Sequence, residues 1–379
     1  MLLAGIRVLE LGQILAAPYA AEILADLGAE VLKIERPEGG DDARGWGPPF
    51  WNGDAALFHQ MNRNKRSVAL DLKSPEGLAR MLELLGETDV FVHNLRPGLP
   101  EKLGIGPQAM RERFPRLIYA DIGAFGHLGP MKRQPGYELL VQAFGGPMSI
   151  TGEADGTPVR CGPSINDLGS GMWAAIGVLG ALVRRARTGE GCLVQTSLFE
   201  TAIAWTSIAT SNFLASGTPP RREGSKHASV VPYGAFPTAD GPLIIGAGSD
   251  RLFRKLAEVL GHPEWALDPR FLANSDRVTN REAIEALVSA ELRARPRAEW
   301  AELLEAAGVP CASIQSIPEV LSHEQTTALG MVQEVPDTPE VRLVAMPLSF
   351  DGVRPVARLA SPRLGGAEGF VSATAGPGQ

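Results

Sequence analysis

Cysteine is scarce in the 379-residue chain. Cys161, Cys192 and Cys311 are odd in number and scattered, and they form neither a disulfide framework nor metal-ligand spacing. A reducing cytoplasm is the expected compartment, and no metal is expected. A surplus of positive charge is also missing: the net charge of −7 argues against nucleic-acid binding and broad membrane adsorption. Long apolar runs are absent as well. The longest uncharged one, 172–183, reaches 12 residues before "RRAR", where a membrane span needs about 18 or more. The opening "MLLAGIRVLELG" carries Glu10 and lacks the basic segment of a secretory signal, so no membrane or export role is expected. The first strand-to-helix turn, "LGQILAAPYA", lacks G-x-G-x-x-G, and there is no P-loop, H-E-x-x-H or G-x-S-x-G. "GAGSDR" at 246–251 follows a strand but lacks the third glycine, and reads as an ordinary turn.

With 44% hydrophobic and 21% charged residues the chain is composed like a folded protein, and its length favours two domains. Short β-rich runs at 6–11, 30–35, 67–72, 89–94 and 117–123 alternate with helical patterns such as "YAAEILADLG" and "SPEGLARMLELLGET", the latter N-capped by Ser74. This alternation predicts a mainly parallel α/β sheet, with ligands at the carboxyl ends of its strands. "GTPPRREGSKHASVV" at 217–230 reads as a linker. Beyond it an α+β stretch opens with a hairpin turning at Asp240-Gly241, followed by amphipathic helices near 250–261 and 281–306. Strand-like pieces return from about 320 ("MVQEV", "VRLVAMPLSF"), and the Gly/Ala-rich terminal stub is expected to fray.

"NRNKRSVALDLK" sets Arg63, Lys65, Arg66 and Lys73 against one acid, Asp71. It is either a solvated basic loop or, with Arg36 and Arg96 at further strand ends, an electropositive rim for a phosphorylated ligand. His93 and His127 could each act as a base, but neither has a carboxylate or serine at a telling spacing. His59, His227, His262 and His323 read as surface or packing residues.

Asp167 opens the long apolar segment "DLGSGMWAAIGVLGALV". Asx residues in that place usually cap helices, and residue type alone favours a cap. Gly169 and Gly171 allow another reading. Each costs about 1 kcal/mol in a helix relative to Ala, which makes sense if something must approach the backbone closely. A carboxylate beside free helix amides is kept ionised, and those amides can steady an oxyanion.

Long stretches are similar to one family. "LAGIRVLELGQILAAPYAAEILADLGAEVLKIERPEGGDDARGW", "NRNKRSVALDLKSPEG", "DVFVHNLRPG", "QPGYELLVQAFGG", "DLGSGMWAAIGVLGAL" and "RTGEGCLVQTSLFETA" resemble, in order and over almost the whole chain, the family III CoA-transferases. That group includes formyl-CoA and carnitine CoA-transferases and is related to α-methylacyl-CoA racemases. The resemblance implies an α/β fold with a Rossmann-like large domain built from both chain ends (1–216 and 320–379). A linker (217–230) and a smaller inserted α+β domain (231–319) complete it, in an interlocked homodimer.

It also implies CoA transfer from an acyl-CoA donor, with succinyl-CoA a candidate, to a free carboxylic acid. Asp167 is then the nucleophile, forming an aspartyl anhydride and next an aspartyl-CoA thioester, with no permanently bound cofactor and the CoA thioester as substrate. Matching positions place CoA contacts at Arg36, Leu70, Asp71, Leu72, Lys73, Asn94, Leu95, Arg96, Tyr137 and Glu138, and at Lys102, a Lys where an Arg can occur.

Leu15 stands where some members have Gln, which argues against a formyl/oxalate pair. "LGGAEG" at 364–369 replaces the usual L-G-E-H-T, and 217–230 has no match to the glycine-rich active-site loop of formyl-CoA transferases. Acceptor selectivity is expected near residue 15, near 125–137 and in loops of the small domain. Two rival readings are a racemase, whose His-acid base pair is here Tyr137-Glu138, and a non-catalytic acyl-CoA-binding paralogue.

Overall fold

A computed structural model describes residues 1–371. The Gly/Ala-rich stub expected to fray lies beyond them. Among the described residues the chain divides into two compact units. The first comprises residues 1–147, 160–218 and 324 onward; the second comprises 148–159 and 219–323. Residues 148–159, expected in the large domain, thus group with the second unit.

The first unit is built on a six-stranded sheet: β1 (Arg7–Leu11), β2 (Glu30–Glu35), β3 (Lys65–Ala69), β4 (Val90–His93), β5 (Ile118–Gly123) and β6 (Leu193–Ser197). All neighbours pair in parallel, in the order β3-β2-β1-β4-β5-β6. This is a doubly wound order, and the chain reverses direction across the sheet between β1 and β4. Its main helices are α1 (Ala16–Asp26), α2 (Pro75–Gly86), α3 (Glu138–Phe144), α4 (Ile165–Thr188), α5 (Leu198–Trp205) and α6 (Ser207–Ser216).

Strand alternation sorts the core into two layers. Val8, Val31, Val90, Val92, Ile118 and Ala120 face a cluster that includes Ala20 and Leu24 of α1 and Ala174 and Val178 of α4. Leu9, Leu32, Ile34, Phe91 and Tyr119 face the opposite one, with Met81, Leu84 and Leu85 of α2. Because both faces are covered, the strands read as apolar runs rather than as a clean polar alternation. β6 was not anticipated; its sequence, "LVQTS", is mostly polar, with Leu193, Val194 and Thr196 half-buried, Gln195 exposed and Ser197 buried. β3 lies two to three residues earlier than expected, because the Asp71 carboxylate takes the Lys73 amide (3.0 Å) and starts a turn. The Ser74 hydroxyl accepts the Gly77 amide, capping α2 as its sequence indicates.

The long helix α4 is apolar enough by length and composition to cross a membrane. Here it packs on α1, α5, β5 and β6, as a core helix does. Also within the first unit, the hairpin of β10 (Val332–Val335) and β11 (Thr338–Val344) is held by the Gln60 side-chain amide, which bonds both backbone groups of Val344.

The second unit holds a three-stranded antiparallel sheet of β7 (Tyr233–Pro237), β8 (Pro242–Gly246) and β9 (Cys311–Ser313). The β7–β8 turn falls at Asp240-Gly241, as expected. α7 (Asp250–Val259), α8 (Arg281–Leu292) and α9 (Arg297–Ala306) complete its core around Phe253, Leu256, Ile284, Val288 and Trp300. The helix expected over 281–306 is two helices, broken before Pro296, which cannot continue an amide ladder.

Candidate active site

The doubly wound order places a ligand site where the loops after β1 and β4 diverge. A cavity of about 560 Å³ lies there, entirely within the first unit. Gln13 to Ala16 follow β1, Asn94 to Pro97 follow β4, and Ile122 to Ala124 end β5; Tyr137, Glu138, Arg160 and Asp167 also line it.

The β1 turn is held in an uncommon shape. Ile14 has φ +67°, a conformation that costs a β-branched residue on the order of 1–3 kcal/mol. Two polar contacts sustain it. The Ile14 amide donates to the Asp41 carboxylate (2.9 Å), and Gln13 exchanges two 2.9 Å bonds with the Asn94 side chain, tying the β1 and β4 loops together. Asp41 is itself fixed by Lys33 (2.8 Å). Lys33 and Lys65 each lie 2.7 Å from one oxygen of Glu10, with all three side chains fully buried.

This corrects the reading of the basic run. Arg63 is buried against Glu22 and Asp26, and Lys65 against Glu10; these two are structural cations, and only Arg66 and Lys73 reach solvent.

Asp167 occupies the first turn of α4 but does not cap it. The helix begins at Ile165, and no Asp167 side-chain hydrogen bond is present among the described residues. The cap comes from α3, where the Glu138 carboxylate accepts the amides of Asn166 (3.2 Å) and Asp167 (2.9 Å). Gln142 supports it, donating to Glu138 Oε1 (2.7 Å) while accepting the Cys161 amide (2.8 Å). Burial, and then the Glu138 charge, push the half-buried Asp167 carboxyl up to about 7. It is thus poised between its two protonation states at neutral pH.

The two glycines behind it admit protein rather than ligand. A Cβ on Gly169 would lie 2.7 Å from Thr201 Cγ2 and Trp205 Cζ2 of α5. A Cβ on Gly171 would lie 2.7 Å from the Ala16 carbonyl of α1. They let three helices pack closely and so bring Asp167 up to the β1 turn.

His93 is no base. It is fully buried, and its Nε2 bonds the Tyr119 hydroxyl (2.9 Å), which donates onward to the Ile105 carbonyl (3.0 Å). Nδ1 accepts the Leu95 amide (3.3 Å), so the ring is neutral with its proton on Nε2; burial pushes its pKa down to about 3. His127 is 3.4 Å from Asp121, outside the cavity lining; burial pushes Asp121 up to about 6 against the pull of His127.

Of the residues that the resemblance implied, the cavity gathers Asp167, Asn94, Leu95, Arg96, Tyr137 and Glu138. It does not gather Arg36, Leu70, Asp71, Leu72, Lys73 or Lys102. Arg36 is exposed and pairs with Asp42; Asp71, Lys73 and Lys102 are exposed; Leu70 and Leu72 pack on the core. Leu15 does line the cavity, as do Trp46 and Arg160, which the sequence alone did not single out.

A carboxylate with no side-chain hydrogen bond among the described residues, in a cavity at the carboxyl edge of a doubly wound sheet that two guanidinium groups also line, is an arrangement suited to an α/β enzyme. The model of CoA-transferase family III matches residues 3–368. A succinyl-CoA:glutarate CoA-transferase of Mus musculus is 39% identical over 91% of this chain and 79% of its own length. An acetyl-CoA:oxalate CoA-transferase of Acetobacter aceti is 38% identical over 86% of this chain and 84% of its own. The crystal structure of a CaiB/BaiF family protein from Brucella suis superposes with a TM-score of 0.85 at 37% identity, covering 96% of both chains. The chain belongs to CoA-transferase family III, and it is an enzyme of that family with CoA thioesters as substrates.

Proposed function

We propose that the enzyme moves CoA from an acyl-CoA donor, succinyl-CoA among the candidates, to a dicarboxylic acid through covalent intermediates on Asp167. The observation that carries this reading is the Asp167 carboxylate itself: it lines the cavity and makes no side-chain hydrogen bond among the described residues. In the first step the carboxylate attacks the thioester carbonyl, the C–S bond breaks, and CoA thiolate leaves an aspartyl anhydride. The thiolate then attacks the aspartyl carbonyl and releases the donor acid, giving an aspartyl-CoA thioester. The acceptor carboxylate displaces thiolate to form a second anhydride, and thiolate attacks the acceptor carbonyl and frees Asp167. No net charge or redox change occurs, and the thioester bond energy passes from one acid to the other.

The acceptor class rests on the relatives, which are named for glutarate and oxalate, both dicarboxylic acids. Asn94, Leu95, Arg96 and Tyr137 serve the CoA end of the cavity. Arg36, the turn Leu70–Lys73 and Lys102 are assigned to the part of CoA that extends beyond it. Glu138 acts on Asp167 rather than on CoA. Both its oxygens are engaged by amides, which also disfavours the racemase reading, where the 137–138 pair must carry a free base.

A homodimer is part of the proposal. α6 buries none of its residues, and Ile208 and Leu214 are 75% and 77% exposed. Trp173, Ile176 and Val183 on α4 and Leu140 and Phe144 on α3 add further exposed apolar surface. Such surface needs a partner, and a second copy supplies it. Ile208→Glu with Leu214→Glu should convert the sedimenting dimer to monomer. The three free cysteines support a cytoplasmic setting.

The activity test is one incubation in heavy water with succinyl-CoA, acetyl-CoA and a 2-methylacyl-CoA against a panel of carboxylic acids, read by mass spectrometry. New CoA esters without deuterium are expected. Deuterium at the α-carbon of an unchanged ester would overturn transfer in favour of racemisation.

A further inference from the structure

We propose that Arg160 selects the dicarboxylic acid by pairing with the carboxylate remote from the one that reacts. The inference deepens the transferase reading above and rests on it.

Five charged side chains line the cavity: Asp42, Arg96, Glu138, Arg160 and Asp167. Asp42 is taken by Arg36, and Glu138 by two amides and Gln142. Arg96 and Arg160 have no carboxylate partner among the described residues. Arg96 stands in the β4 loop assigned to CoA. Arg160 is the cation left for the acid.

Arg160 is mounted to hold a fixed relation to the nucleophile. Next to it, the Cys161 amide is clamped by the fully buried Gln142. Gln142 donates to Glu138, and Glu138 holds the Asp167 amide. Cation and nucleophile therefore stand on one hydrogen-bonded frame joining α3 to the α4 entry. The Arg160 guanidinium donates through one Nη2–H to the Gly162 carbonyl, which steadies the head while Nε and Nη1 remain available.

A dicarboxylic acid brings one carboxylate to react and a second that would enter the cavity still charged. Without a cation that second charge is costly to desolvate. A guanidinium meets a carboxylate with two parallel N–H···O bonds, a geometry that an ammonium does not reproduce. A monocarboxylic acid of equal length has nothing to offer Arg160, so the preference between the two acids reports on this contact.

The test compares wild type with Arg160→Gln and Arg160→Lys. Acetyl-CoA, succinyl-CoA and glutaryl-CoA serve as donors, with glutarate or pentanoate as acceptor. The ratio of kcat/KM for glutarate over pentanoate should fall by about tenfold or more in Arg160→Gln, chiefly through the KM for glutarate, with Arg160→Lys intermediate. If transfer persists and the ratio is unchanged, the assignment is wrong. A rise in KM for every CoA ester, whatever the acceptor, would also overturn it and give Arg160 to the CoA phosphates. Failure of the wild type to form any new CoA ester would overturn the transferase reading, and this assignment with it.

Discussion

The Glu138 carboxylate accepts the backbone amide of Asp167 at 2.9 Å, so a residue of α3 caps the helix that presents the nucleophile. The contact does two opposing things. Together with the bond from the Asn166 amide to the other Glu138 oxygen, it satisfies two of the four amides that every helix start leaves unpaired, which fixes the α4 entry. It also sets a second negative charge beside Asp167 and, after burial, is the cause of that residue's raised pKa.

Glu138→Gln separates the two effects. The like charge disappears, so Asp167 ionises more readily and the acid limb of kcat/KM for acyl-CoA moves to lower pH. The shift is partial, because burial, the larger cause, is untouched. One cap bond is lost as well, at a cost of about 0.5–2 kcal/mol. A pH–rate profile beside a urea titration reads both effects. An unmoved or higher acid limb would show that Glu138 does not govern the charge of Asp167.

Asp167→Asn should abolish exchange, by about 10³-fold or more, and also stabilise the protein at alkaline pH. The sign follows from linkage. The folded-state pKa of about 7 lies above the ordinary 3.8, so the neutral carboxyl is the form that folding favours. Between those values the unfolded chain has released a proton that the folded one keeps. Stability therefore falls as pH rises through this window and stays reduced above it. The variant escapes that loss. Its advantage should be close to nil at pH 4 and reach about 1–2 kcal/mol at pH 8, below the full linkage value because the carboxylate is partly solvated. Thermal melts of both proteins at the two pH values decide it; an advantage that grows toward acid would refute the sign.

Much of the first unit could be read from its strands, because β-branched apolar runs spaced by helical patterns have few other solutions in an α/β protein. β6 escaped because its polar residues carry no clear period. Asp167 was located by its place before an apolar helix. Its chemistry was not legible there, since a cap and a nucleophile look alike until the helix start is known to lie two residues earlier. The charges of "NRNKRS" misled for a related reason. Sequence gives their sign but not their burial, and Glu10, Glu22 and Asp26 neutralise them from elements far away in the chain. Arg160 sits in an irregular loop with no periodicity at all, and only the fold sets it beside the cavity.

Gly171→Ala tests the packing account of the α4 glycines. The new methyl group would stand 2.7 Å from the Ala16 carbonyl and 3.1 Å from the Tyr19 ring, and a backbone carbonyl cannot swing aside as a side-chain tip can. Overpacking of this kind costs about 1–3 kcal/mol, against roughly 1 kcal/mol gained in helix propensity. A net loss in thermal stability is expected, with reduced activity, since α1 carries Ala16 in the cavity wall. A variant more stable than wild type would mean that α1 and α4 do not meet this closely.

Glu10→Gln tests the buried charges beneath the β1 turn. Glu10 is shared by Lys33 and Lys65, each 2.7 Å away, and none of the three side chains reaches solvent. Removing the carboxylate charge takes from both ammonium groups the anion they share, while Asp41 stays 2.8 Å from Lys33. Lys65, whose pKa burial already lowers, is the one expected to shed its proton. Breaking a buried pair from one side typically costs about 3–5 kcal/mol, more than replacing the whole pair would, because the surviving charge stays buried. The effect should also reach the site. Lys33 positions Asp41, and Asp41 holds the Ile14 amide in its left-handed conformation, so a loosened Lys33 lets the turn relax. The expected result is a lower urea midpoint together with a higher KM for acyl-CoA. A stability loss under about 1 kcal/mol would show that the three charges do not act as one unit.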